Sequence, residues 1–148
     1  MAMIPVTEMQ ASIPYGMAVY KMSALEALII SLAGNITIVF VLLRLIPVCV
    51  DFLFKHSPFL AHHIKKYFDR LHAKHSMRFY EFGGIFLTLF ISIPGPGSGA
   101  WTGSLLAYLF NMPFKLALIS VALGLAVQGI IVSFFSGSII ELWQWATQ

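Results

Sequence analysis

Cysteine is nearly missing from this chain. Cys49 stands alone, so no intramolecular disulfide can form, and it reads as a small apolar residue near a helix end. Charge is scarce as well: Asp, Glu, Lys and Arg make up 10% of the 148 residues, against 59% hydrophobic. With a mean hydropathy of +0.86, that balance excludes a water-soluble domain built on a large core. It points to an integral membrane protein short enough to hold only a few membrane elements. The apolar regions lack a Ser/His/Asp set and paired carboxylates. Their glycine-rich stretch lacks the Lys-Ser/Thr of a phosphate-binding loop. The sequence therefore gives no ground for an enzyme and calls for no cofactor. The N-terminus lacks a basic region followed by an apolar core and a cleavage site, so no cleavable signal is expected.

What charge there is lies together. Six of the nine Lys and Arg fall between Lys55 and Arg78, against one acid, which marks membrane topology and not nucleic-acid binding. In the stretch from Asp51 to Arg78, Leu60, Ile64, Tyr67, Phe68 and Leu71 share one helical stripe, with His62, Lys65, Lys66, Asp69, Arg70 and His72 on the rest. That pattern predicts an amphipathic helix on an anionic, cytoplasmic leaflet. All five histidines, His56, His62, His63, His72 and His75, fall here. Without a carboxylate or thiol constellation they read as a solvated basic face, and no metal site is expected.

The chain is organised around Ser92-Ile93-Pro94-Gly95-Pro96-Gly97-Ser98-Gly99-Ala100-Trp101-Thr102-Gly103. These residues interrupt an apolar run from Phe79 to Asn111. Two prolines without N–H and three glycines preclude one straight helix. A backbone broken at membrane depth must be buried in protein or line a wet cavity, and such breaks mark binding sites in transporters. Met1 to Tyr20 is also apolar and punctuated, and reads as a shorter re-entrant hairpin broken at Pro5 and at Pro14-Tyr15-Gly16. Ser23 to Val50 reads as a spanning helix opened by a Ser23/Glu26 capping box, with Arg44 and Pro47 at its far end. Pro113 to Phe135 reads as a second spanning helix that carries Gln128 and is ended by Ser136-Gly137-Ser138, before the interfacial Trp143 and Trp145. Ser31 and Asn35, and Ser120 and Gly124, give each helix a small-residue face for close packing.

The expected fold is an all-α membrane protein in a single domain. It has two spanning helices and two re-entrant hairpins in an inverted repeat, plus the cytoplasmic amphipathic helix. Residues 1–50 form the first repeat, 51–78 the basic segment and 79–148 the second repeat. Ser12-Ile13-Pro14-Tyr15-Gly16 matches Ser92-Ile93-Pro94-Gly95-Pro96-Gly97, and Ala27-Leu28-Ile29 with Leu32-Ala33-Gly34 matches Ala117-Leu118-Ile119 with Ala122-Leu123-Gly124. Counting crossings inverts the copies and lets their breaks meet near the midplane. The segment from Lys55 to Arg78 is then cytoplasmic and both termini are outside. The lipid bilayer is the surrounding partner, and a homodimer is expected, because so few elements do not easily enclose a path.

At Ile93-Pro94-Gly95-Pro96-Gly97-Ser98-Gly99-Ala100-Trp101-Thr102-Gly103 the chain resembles the prokaryotic small multidrug export proteins, and is distantly similar to the DedA superfamily. Glu8-Met9-Gln10-Ala11-Ser12-Ile13-Pro14-Tyr15-Gly16 and Gly34-Asn35 extend the likeness over nearly the whole chain. Gln10 stands where that family often has Arg, and the first hairpin is expected to have a shorter entering arm than its relatives. The resemblance implies a small transporter in the cell (inner) membrane, with a multidrug label. The DedA likeness implies instead a translocase of an anionic lipid carrier such as undecaprenyl phosphate. A structural or assembly subunit, whose hairpins only pack, is the third possibility.

The expected substrate site comprises Pro94, Gly95, Pro96, Gly97, Ser98, Gly99, Trp101 and Thr102, with Glu8, Gln10, Pro14 and Asn35. A helix starting near Ser98 turns its N–H groups inward, which suits a phosphate or carboxylate, assisted by the hydroxyls of Ser98, Thr102 and Ser104. Export of a cation calls instead for an intramembrane acid, and Glu8 is the candidate.

Overall fold

The computed structural model describes residues 8–56, 82–95 and 97–146, with no strand among them. Five helices follow in order: α1 (Met9–Val19), α2 (Ala24–His56), α3 (Phe82–Ser92), α4 (Ala100–Leu109) and α5 (Phe114–Ala146). The basic segment beyond His56, with its amphipathic stripe and most of its histidines, lies outside the described residues, as do Pro5 and Pro96.

Apolar windows in α2 (Ala24–Phe52) and α5 (Phe114–Ser138) are long enough to cross a membrane. Only 22% of the first window and 44% of the second is buried against protein. Ile29, Ile30, Val41, Ile119, Leu123, Ile130 and Phe134 stand outward. A helix apolar all round with most of that surface uncovered is stable only in an apolar solvent, so the two helices belong in a membrane.

The predicted α2 start holds. Ser23 N–H donates to Glu26 Oε2 at 2.9 Å, and Glu26 N–H donates to Ser23 Oγ at 3.3 Å. Two predicted breaks do not occur: Pro14 lies inside α1, and α5 runs through Ser136-Gly137-Ser138 to Ala146. Pro47 lies inside α2, which continues past the expected Val50 to His56. Each proline removes one i→i−4 bond, a local penalty of about 3 kcal/mol. In α1, Met9, Ile13 and Gly16 are buried on one face and hold the helix across it. In lipid the cost of an open backbone favours continuing the helix, which also carries α5 through Gly137. In α2, Arg44 lies over the rings of Phe40 at 5.2 Å and Phe114 at 4.8 Å, so its charge is accommodated on the helix side, not at its end.

α2 and α5 run antiparallel. Gly129 packs on Leu28 near one end and Phe114 meets Phe40 near the other. α1 lies along α5 in the same direction, with Met9 at Gly129 and Met17 at Gly137. Thr88 and Ile91 of α3 press on α5 at Gly124, where an added Cβ would stand 2.7 Å from Ile91 Cβ and 2.9 Å from the Thr88 carbonyl. Ser12 Oγ donates to Ser31 Oγ at 2.8 Å across α1 and α2. Both small-residue faces therefore pack within the protomer.

The two halves turn alike. Lys21 and Asn111 have φ of 54° and 51° and are the positive-φ non-glycine residues among those described. Each follows a helix C-cap, Tyr20 (φ −89, ψ 0) or Phe110 (φ −87, ψ 6). The following helices open with Ala27 N–H on Ser23 O and Ala117 N–H on Pro113 O, both at 3.0 Å. The α1–α2 and α4–α5 connections therefore share one turn geometry. The matched motifs Ser12–Gly16 and Ser92–Gly97 do not correspond: the first is helical, and the second leaves α3 and enters the break.

Candidate functional site

The break between α3 and α4 is a compact turn held by one side chain. Ser98 N–H donates to Gly95 O at 3.2 Å, and Gly95 N–H donates to Ser98 Oγ at 3.1 Å. The Ser98 hydroxyl proton has two acceptors in reach, Ile93 O at 2.6 Å and Gly95 O at 2.8 Å. Gly97 has φ +87, the left-handed region that favours glycine. Pro94 and Gly97 face outward, whereas Ser98, Gly99 and Ala100 are buried.

α4 starts at Ala100, two residues later than expected, with Gly99 at its N-cap. Glycine has no oxygen with which to cap the first N–H groups. Glu8 supplies one from another helix. Its carboxylate Oε1 accepts the Trp101 N–H at 3.3 Å, and a Cβ on Gly99 would overlap that carboxylate. Glu8 is 8% exposed. Although it holds the N-cap position of α1, its side chain makes no cap bond there. Among the described residues no cationic side chain pairs with it. The Glu8 carboxyl group therefore sits at the positive end of the α4 dipole. The N–H direction in which the sequence expected a bound anion is the one this carboxylate takes.

Two amides complete the cluster. Gln10 Nε2 donates to Gly95 O at 2.7 Å. Gln128, fully buried on α5, donates through Nε2 to Ser98 Oγ at 3.2 Å and Ser98 O at 3.4 Å. Gln128 is not among the expected site residues. Its signal was present: beyond Lys115 at the very start, it is the strongly polar residue within the 25-residue apolar window Phe114–Ser138.

Of the expected residues, the fold thus gathers Glu8, Gln10, Gly95, Ser98, Gly99 and Trp101. Thr102 is half-buried and its Oγ1 lies 4.0 Å from where a Gly97 Cβ would stand. Ser104 Oγ donates to Ala100 O at 2.7 Å and is buried, so its hydroxyl is engaged within α4. Asn35 is buried in α2, where its Nδ2 donates to Ser31 O at 2.9 Å, and Pro14 is half-buried in α1. Neither has a hydrogen bond to the break among the described residues. No group of three or more His, Cys, Asp or Glu that could hold a metal occurs among them either.

Residues 8–131 match the family described as "Putative small multi-drug export protein". The chain belongs to that family. The match begins at Glu8 and takes in both the break and Gln128, so the assembled cluster lies wholly within the family region. No curated protein sequence and no solved structure matches the chain. These comparisons carry no support for the DedA likeness.

Proposed function

We propose that this family member exports a cation-bearing small molecule through a site at Ser98–Gly99, where Glu8 and Gln128 converge. The observation that carries the reading is the Glu8 carboxylate, buried against Gly99 and bonded to Trp101 N–H at 3.3 Å. A carboxylate held at membrane depth is costly unless it serves a passing charge. Gln10 stands where the family resemblance leads one to expect Arg, so the neighbouring position supplies no cation. An anionic headgroup at the same N–H groups would first have to displace Glu8, which disfavours the lipid-carrier reading.

The matched turns at Lys21 and Asn111, with antiparallel α2 and α5, support an inverted repeat whose halves meet at this cluster. Gln128 and Gly129 fall near the middle of the α5 apolar window, which supports a site near mid-depth. On this reading the break and the start of α1 are the re-entrant elements, and the chain sits in a prokaryotic cell membrane with its basic segment cytoplasmic.

Uptake of tetraphenylphosphonium into inside-out membrane vesicles tests the proposal. Glu8→Gln keeps a carbonyl oxygen for Trp101 N–H but removes the charge, so the protein should accumulate normally and lose uptake. Wild-type uptake by Glu8→Gln would remove Glu8 from the mechanism and with it this reading. Failure of Glu8→Gln to accumulate in the membrane would favour a purely structural carboxylate.

A further inference from the structure

We propose that the cation carries an N–H donor and that Gln128, through its carbonyl oxygen, selects for it. The inference rests on the exporter reading above and adds the substrate class. Gln128 is fully buried. Its nitrogen faces Ser98 O and Oγ at 3.4 and 3.2 Å. The flipped amide would set Oε1 against the Ser98 carbonyl, two acceptors face to face, so the orientation is fixed by chemistry. Gln128 Oε1 then has no hydrogen-bond partner among the described residues. Buried acceptors are ordinarily paired, and an unpaired one on the amide that holds Ser98 asks for a donor.

Three donors at the break are already engaged. The Ser98 hydroxyl serves Ile93 O or Gly95 O, Gln10 Nε2 serves Gly95 O, and Trp101 N–H serves Glu8. Acceptor capacity remains on the Glu8 carboxylate and on Gln128 Oε1. Both residues converge on the dipeptide Ser98–Gly99, and Met9, next to Glu8, packs on Gly129, next to Gln128. A site with these two acceptors open suits a protonated amine, which brings charge and N–H together. A quaternary ammonium or phosphonium brings charge alone and leaves Oε1 unpaired, and a site built to hydrogen-bond discriminates against the analogue that cannot.

Calorimetric titration of the purified protein in lipid discs with benzylammonium and benzyltrimethylammonium tests this. Wild type should bind benzylammonium about tenfold more tightly, the scale of one hydrogen bond. Gln128→Leu should erase that preference, bringing the two affinities together, and Glu8→Gln should weaken both. Equal wild-type affinities, or a preference that survives Gln128→Leu, overturn the selection by Gln128 and leave the exporter reading standing. Binding of neither cation by wild type overturns both. The wild-type comparison decides the matter even where Gln128→Leu fails to fold, and Gln128→Met offers a second, unbranched replacement.

Discussion

The carboxylate of Glu8 occupies the space in which a Cβ of Gly99 would stand. Gly99→Ala must therefore push Glu8 off the α4 N-terminus. The displaced group is the end of a flexible side chain, so the fold should survive with a loss of about 1 kcal/mol, comparable to a lost cap. Export should fall as far as in Glu8→Gln. Expression and transport measured together check this, and a fully active Gly99→Ala protein would separate Glu8 from the site.

Gly124→Ala should behave in the opposite way. Its Cβ would stand 2.7 Å from Ile91 Cβ and 2.9 Å from the Thr88 carbonyl, which are parts of α3 that cannot swing aside. Overpacking of that kind costs about 1–3 kcal/mol. The expected result is a lowered unfolding midpoint, with any residual transport unaltered in substrate preference.

Backbone sign gives a third test. Gly97 has φ +87 with open space around it, so Gly97→Ala costs about 1–2 kcal/mol through conformation alone. Lys21 already holds φ 54° without being glycine, and Lys21→Gly should raise stability by up to about 1 kcal/mol. Thermal unfolding in one detergent, read for both variants, should move in opposite directions.

Ser98→Ala removes the hydroxyl that bonds Gly95 N–H, takes the Gln128 amide and donates to Ile93 O or Gly95 O. A loss of about 1–3 kcal/mol is expected, because those groups are left unpaired. Reduced transport with unchanged order of preference among cations should accompany it. A silent Ser98→Ala would mean that the break is held by its backbone alone.

Topology and assembly can be tested on intact cells and in lipid discs. In a Cys49-free background, cysteine at Ser76 should resist an impermeant thiol reagent and cysteine at Thr147 should react. The reverse labelling would turn the whole arrangement over. A homodimer is expected in native mass spectrometry. It must use surfaces other than Ser31 and Asn35 or Ser120 and Gly124, since those residues are buried within one protomer. A single-protomer mass would count against it.

Much of this was legible in the residues themselves. Hydropathy over Ala24–Phe52 and Phe114–Ser138 determined two spans, because lipid solvates apolar surface and helices satisfy their own backbone. Ser23 and Glu26 determined where α2 begins, and Pro94, Gly95, Pro96 and Gly97 determined that the second apolar run must break. Those are local effects, written within a few residues of where they act. Tertiary structure alone decided that Pro14 stays helical, since buried packing and the cost of an open backbone outweigh a local penalty. It also decided that Lys21 and Asn111 share a left-handed φ at their turns, while Pro14 is helical and Pro94 is not. The carboxylate capping α4 stands 93 residues away from Trp101, and the amide on Ser98 lies 30 residues beyond it. No local pattern carries such pairings. They follow from α1 and α5 lying side by side, which brings an acid and an amide to a glycine with no side chain of its own.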